Sequence, residues 1–228
     1  MLPPANPVKQ EPAQGSTGKR EEESFGSGFF VSSDGFIVTS NHVVASSQNL
    51  NVITRSGDVL PAVIIAADPV NDIALLKVEA RGEAVAVTSS EGVAVGEDVL
   101  VLGYPLPTIE GAAQKATFGR INALSGIGDD VRFLQIDVPI QPGNSGGPLF
   151  GSNGGVIGIV TAILNQESTL QAAGVVPQNV NYAIKSDYLL PLLAQQEIRV
   201  RHVSSNALSN RPELVKQLRD SVVLVIAR

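Results

Sequence analysis

Gly28-Phe29-Phe30-Val31-Ser32-Ser33-Asp34-Gly35-Phe36-Ile37-Val38-Thr39 contains two apolar segments separated by a Ser-Asp-Gly stretch. Asp-Gly between such segments is a strong short-range hairpin signal, because the tight turn needs a positive φ that glycine adopts without a Cβ clash. Both segments are too short for helices and are rich in aromatic and β-branched residues. Gly28–Thr39 therefore reads as a β-hairpin. The same pattern continues outward, at 49–54, 59–67 and 73–78 before Gly96. After Gly96 it recurs at 98–103, 115–122, 132–137, 147–151, 154–163 and 179–184. Short apolar runs punctuated by Gly, Asp, Asn, Ser and Pro favour an all-β barrel or sandwich over a βαβ sheet. Helical pattern arrives only late, at Lys185–Leu193 and Asn210–Arg219, where Asn210 and Glu213 are spaced for a capping box. Ser221–Ala227 is strand-like again.

The whole composition fits that reading. A chain of 228 residues makes one large domain or two small ones, and 43% hydrophobic residues suffice for a core. The absence of cysteine excludes a disulfide framework, cysteine-ligated metals and a thiol nucleophile. A net charge of −6 argues against nucleic acid or an anionic membrane as a partner. No apolar run is long enough for a membrane-spanning helix. Residues 1–24, mostly Pro, Gln, Gly, Ser, Lys and Glu, offer little to bury and read as a flexible tail. Met1–Pro7 lacks the basic start and apolar stretch of a signal peptide. That leaves open a cytosolic protein or a chain that begins after a removed signal.

The chemistry concentrates in Gly143-Asn144-Ser145-Gly146-Gly147-Pro148-Leu149. So much glycine ahead of a buried strand suits an unusual backbone turn. Such a turn can expose the Ser145 hydroxyl while neighbouring N–H groups converge on one point, where they would stabilise an oxyanion. A serine hydroxyl needs a base to take its proton, and histidine suits neutral pH. The sequence has two histidines. His202 lies in the basic run Ile198–His202, whereas His42 follows the first hairpin in Ser40-Asn41-His42-Val43-Val44 and is the stronger candidate. The imidazole needs an orienting carboxylate. Asp72 opens the apolar run Ile73–Val78, where a carboxylate is costly unless paired. Asp68 is its nearest rival, but Pro69 makes it a turn residue, and Asp137 reads as structural. No metal site and no organic cofactor are expected.

The order His42, Asp72, Ser145 resembles the trypsin-fold serine proteases. So do Gly26-Ser27-Gly28-Phe29-Phe30-Val31 ahead of Ser40-Asn41-His42-Val43-Val44, Asp68-Pro69-Val70-Asn71-Asp72-Ile73-Ala74-Leu75-Leu76-Lys77, and Gln141–Leu149. Within that family the chain is most similar to the bacterial HtrA/Deg-type branch. The resemblance implies an all-β fold of two six-stranded antiparallel β-barrels, spanning 25–190, with the active site between them and short C-terminal helices. It implies a serine endopeptidase that works on polypeptides through an acyl-enzyme, with a role in protein quality control outside the bacterial cytoplasm. Ser145 would be the nucleophile, His42 the base and Asp72 its orienting partner. The N–H groups of Gly143 and Ser145 would form the oxyanion hole, with Asn144 between them. The alternative is a latent or non-catalytic peptide-binding module that uses the same cleft.

The departures also carry expectations. Asn144 stands where digestive relatives carry the aspartate that receives a freed N-terminus, so activation by that ion pair is not expected. Pro139, six residues before Ser145, replaces the aspartate of the trypsin pocket. With Val138, Ile140, Val180 and Asn181 as walls, the pocket should prefer small or medium aliphatic P1 residues. Ile159, Val160, Thr161 and Ala162 should pair with the substrate backbone. About 38 residues follow Leu190, too few for a PDZ domain. The family's first strand has no counterpart in residues 1–24, and Ser221–Ala227 could fill its place in barrel one, in its own chain or swapped into a neighbour. Both a trimer and a strand-swapped dimer stay open.

Overall fold

A computed structural model describes residues 23–161, 179–201, 203 and 210–228. The expected flexible tail lies outside the described residues apart from Glu23 and Ser24, as do His202 and Ala162. The described residues form two closed six-stranded antiparallel barrels. The first contains β1 (Ser24–Phe30), β2 (Phe36–Ser40), β3 (Leu50–Ile53), β4 (Val59–Asp68), β5 (Ile73–Val78) and β12 (Val222–Ala227), in the order β1-β12-β3-β4-β5-β2. The second contains β6 (Asp98–Gly103), β7 (Lys115–Ala123), β8 (Phe133–Ile136), β9 (Pro148–Phe150), β10 (Val156–Thr161) and β11 (Asn181–Lys185), in the order β10-β11-β8-β7-β6-β9. The expected all-β double barrel is borne out.

Period-two alternation explains why the strands read as continuous apolar runs. Phe30, Ile37, Leu76, Val223 and Val225 belong to a cluster of the first barrel. Val99, Val101, Leu134, Leu149 and Val160 belong to one of the second. Their neighbours Phe29, Val38, Leu75, Leu100, Phe133, Ile159 and Leu224 join a third cluster that draws on both barrels. Strands such as β1, β2, β5, β6 and β12 are thus apolar on both faces, with one set of side chains in their own barrel's cluster and the other in the shared cluster.

The hairpin read from Asp34-Gly35 is present, with Gly28 opposite Thr39 and Gly35 at φ 102°. However, β1 begins at Ser24, four residues before the expected start. Gly26 and Gly28 weaken its strand signal in the sequence, while β12 pairs with it from Ser24↔Ala227 to Phe29↔Val222. The other edge of β12 pairs with β3, from Leu224↔Ile53 to Ala227↔Leu50. The C-terminal strand therefore stands between β1 and β3 and closes the first barrel.

Short helices cover the connections: α1 (Asn41–Val44), α2 (Pro107–Glu110), α3 (Leu190–Gln195) and α4 (Arg211–Leu218). The expected helix over Lys185–Leu193 is a 3-10 turn at Ser186–Tyr188 followed by α3. The expected capping box is absent, because Asn210 makes no side-chain capping bond at the start of α4. Instead Arg211 sets its guanidinium over the Phe118 ring of β7, 4.8 Å from the centroid. Gln114 Nε2, just before β7, donates to Arg219 O at 2.8 Å and Val222 O at 3.2 Å. The segment that completes barrel one is thus fastened to barrel two as well. Leu224 is 2% exposed. Leu224→Ala should cost about 2–5 kcal/mol, read as a lower midpoint in chemical denaturation.

Asp187, in the 3-10 turn after β11, accepts bonds from Ser89 Oγ at 2.5 Å, Ser90 N–H at 3.0 Å and Ser90 Oγ. Burial pushes its carboxyl up, but the hydroxyls of Ser89 and Ser90 and the surrounding N–H groups outweigh that and hold it below the ordinary value. A lowered folded-state value stabilises the fold above the unfolded value, and the gain disappears as pH falls through the folded one. Asp187→Asn should therefore lower Tm at neutral pH. The gap to the parent should close in a pH series taken below about 4.

Candidate active site

The site is built from two loops of barrel one and one of barrel two. β2 runs into α1, which carries His42, and the β4–β5 turn carries Asp72. Asp68 Oδ1 accepts the N–H groups of Val70 and Asn71, both at 3.1 Å, and Asp68 Oδ2 accepts Asn71 Nδ2 at 2.6 Å. Asp68 is thus the turn residue that Pro69 suggested. The turn delivers Asp72 in a left-handed conformation, φ 53°, a strained backbone for which aspartate is one of the tolerant side chains.

Asp72 holds His42 at two points. Its Oδ1 accepts the His42 backbone N–H at 2.8 Å and its Oδ2 lies 2.7 Å from His42 Nδ1. The Asp72 carbonyl also accepts the Asn41 N–H at 3.1 Å. A carboxylate on Nδ1 selects the tautomer that carries the proton there and leaves Nε2 as the acceptor. The His42 and Asp72 side chains keep 26% and 25% exposure, so the pair lines an opening and is not sealed in the core.

The loop from barrel two carries Ser145. Asn144 N–H donates to Gln141 O at 3.0 Å across a turn with Pro142 and Gly143 at its centre, and Gly143 has φ 97°. These are the features of a type II turn, which needs glycine at that position. The N–H groups of Gly146 and Gly147 donate to Val160 O and Asn144 O, both at 2.9 Å. Leu106 N–H holds the Pro142 carbonyl at 2.7 Å from outside the turn. In a planar trans peptide the N–H points opposite to its C=O. Fixing the carbonyls of Pro142 and Asn144 therefore orients the N–H groups of Gly143 and Ser145 away from those partners. Asn144's own N–H is committed to Gln141, so its place is between the candidate donors.

The serine loop packs directly on barrel one. The Ser27 N–H of β1 donates to Ser145 O at 2.8 Å. A Cβ on Gly146, at φ 83°, would lie 2.4 Å from both Ser27 O and Thr39 Oγ1 and 2.5 Å from Ser40 N, so only glycine permits this approach. Ser145 O and the side chain of Val43, the neighbour of His42, both lie within 3 Å of one point beside Gly26. The structure thus brings the loops of His42, Asp72 and Ser145 together against barrel one.

The other expected site residues separate into two groups. Asn181 Nδ2 donates to Val138 O at 2.8 Å, which joins the two expected pocket walls. Pro139 is exposed and Ile140 is half-buried, but Val138 is 0% exposed and packs in the second-barrel cluster. Ile159 and Val160 are buried too. The Val160 backbone is spoken for, because its N–H donates to Gly147 O and its carbonyl accepts from Gly146. The edge that a substrate strand could join therefore begins at Thr161, two residues later than the sequence suggested. A cavity of about 300 Å³ opens beside Asp72, with Asn71, Arg132, Phe133, Thr161 and Ile184 on its walls. Sequence reasoning missed Ser27, Thr39 and Leu106. The available signal was a serine between two glycines inside a strand pattern, a mark of close backbone approach.

No group of three or more potential metal ligands occurs among the described residues, and none of their helices is long and apolar enough to cross a membrane. The family model of the trypsin-like peptidase domain matches residues 26–159. The uncharacterized protein y4bJ of Sinorhizobium fredii is 42% identical over 200 residues, which are 87% of this chain and 31% of that protein. A probable periplasmic serine endoprotease of DegP-like type from Ectopseudomonas mendocina is 41% identical over 163 residues, 70% of this chain and 34% of the relative. The putative serine protease HhoB of Synechocystis is 35% identical over 208 residues, 88% of this chain and 48% of the relative. Among solved structures, the HtrA-type protease AlgW with a decapeptide superposes with a TM-score of 0.62 at 33% identity, covering 76% of this chain and 51% of that one. The chain spans about a third to about a half of the length of these proteins. Its two barrels, its serine loop and these relatives agree, and the chain belongs to the trypsin-like peptidase family, with HtrA-type serine proteases as its relatives.

Proposed function

We propose that this protein is a serine endopeptidase in which Ser145, His42 and Asp72 form the catalytic triad. The observation that carries the reading is the two-point grip of Asp72 on His42, through the backbone N–H and Nδ1, beside a serine loop docked on the same barrel. Ser145 Oγ attacks the scissile carbonyl while His42 Nε2 takes its proton. The oxyanion that forms is held by the Gly143 and Ser145 N–H groups. His42 then gives the proton to the leaving amine, and water resolves the acyl-enzyme by the reverse path. Asp72 orients the imidazole and stabilises the imidazolium that forms. The type II turn at Gln141–Asn144 supports a productive resting state over a latent one, because it orients the Gly143 N–H away from the Leu106 side.

Polypeptides are the proposed substrates. A strand of substrate would add to the edge that starts at Thr161, and its P1 side chain would sit between Pro139–Ile140 and Val180–Asn181. No carboxylate stands at Pro139, so small or medium aliphatic P1 residues are favoured over Lys and Arg. The periplasmic relative supports an extracytoplasmic setting, and a role in protein quality control follows from the resemblance alone.

Ser145→Ala should lower kcat by on the order of 10⁶-fold. Asp72→Asn, which favours the wrong imidazole tautomer, should lower it by about 10⁴-fold at nearly unchanged KM. Steady-state kinetics on a peptide substrate measure both, and an Asp72→Asn enzyme with parental kcat would remove Asp72 from the triad. A P1-varied peptide library should show cleavage after Val, Ala or Leu and little after Lys or Arg. The opposite order would refute the pocket assignment.

A further inference from the structure

We infer that Ser27 is a positioning residue for the oxyanion hole, an inference that rests on Ser145 being the nucleophile. Ser27 is 0% exposed and every one of its polar atoms is engaged. Its Oγ donates to Gly143 O at 2.7 Å and accepts the Tyr104 N–H at 3.0 Å. Its N–H donates to Ser145 O at 2.8 Å, and its carbonyl accepts Thr39 Oγ1 at 2.7 Å. One residue of barrel one therefore grips the barrel-two loop at both ends of Gly143-Asn144-Ser145. The side chain fixes the peptide plane after Gly143, and the backbone fixes the plane after Ser145.

That geometry determines what the two proposed oxyanion donors can do. The Gly143 N–H directly precedes the first carbonyl that Ser27 holds and the Ser145 N–H lies between the two, so the separation of the donors depends on these anchors. Glycine at Gly143 supplies no torsional resistance of its own. Without the Ser27 hydroxyl, the Gly143 carbonyl and the Tyr104 N–H would both lose a buried partner, and the turn would seek other arrangements. Preorganised donors stabilise a transition state because they need not reorganise as charge develops. A loosened turn should therefore weaken stabilisation of the tetrahedral intermediate and leave ground-state substrate binding, which uses the Thr161 edge and the pocket, largely intact. Tyr104 is itself tied down, since its Oη donates to Val222 O at 3.2 Å. The anchor thus stands on the closed first barrel.

The test compares the parent, Ser27→Ala and Ser27→Cys, with active sites counted by exhaustive fluorophosphonate labelling and Tm measured alongside. The expected result for Ser27→Ala is a fall in kcat per active site on the order of 10²-fold with KM changed less than about twofold. The affinity for a peptide aldehyde, whose hemiacetal needs the hole, should fall in proportion to kcat. Ser27→Cys keeps a weak donor of similar shape and should recover part of the loss. If Ser27→Ala fails to fold, the same kcat and KM split is read from Ser27→Cys. A merely structural residue would lower Tm or the number of titrated sites and leave kcat per site at the parental value, and that result overturns the inference. A parent that neither cleaves peptides nor labels at Ser145 overturns the triad reading and this inference together, whereas an active parent with an equally active Ser27→Ala overturns only the latter.

Discussion

A β-barrel with one strand missing leaves two rows of unpaired backbone groups, and the first barrel of this protein avoids that only through its last strand. β1 and β3 do not pair with each other, and β12 stands between them, antiparallel to both. Unpaired edges are an aggregation hazard and an incomplete sheet loses its cooperativity. Everything that faces the cleft from barrel one depends on this closure, because β1 has only two neighbours, β2 and β12.

From that strand the dependence runs to the chemistry in short steps. Leu224 of β12 lies opposite Ser27 of β1. Ser27 reaches Tyr104, Gly143 and Ser145 in barrel two, while Thr39 of β2 reaches back to Ser27. The His42 loop leaves β2 one residue after Ser40, and the Asp72 turn leaves β4, so the imidazole and its carboxylate are set by the same barrel. The second barrel contributes the serine loop and the strand edge at Thr161. The proposed site is therefore an interface property. Neither barrel holds the whole constellation, and their relative placement is held by the shared apolar cluster and by Gln114 and Arg211, which fasten the C-terminal segment to barrel two.

Much of this was legible in the sequence where a residue's chemistry and its local pattern pointed the same way. Asp72 could be chosen over Asp68 because one opened a buried strand and the other preceded a proline, and Asp68 indeed caps the turn. Gly143 and Gly146 were readable as a special turn, and both have positive φ. Other features depended on partners far away in the chain. The start of β1 was hidden by its glycines and is fixed by β12, nearly 200 residues later. Ser27 has no local signal of its role, because its bonds reach residues 77 and 116 positions away. The sequence suggests Val138 as a pocket wall, but its side chain packs into the second-barrel cluster and its carbonyl accepts Asn181 Nδ2. The capping box at Asn210 failed because the spacing of two residues says nothing of their side-chain directions.

The most direct test of this account is fluorophosphonate labelling, located by peptide mass spectrometry, in the full chain and in a chain that ends before Asn210. The account predicts that the full chain is labelled at Ser145 and that the shortened one is not, because the anchor of the serine loop is lost with β12. Equal labelling of Ser145 in both proteins would contradict the claim that the last strand supports the active site.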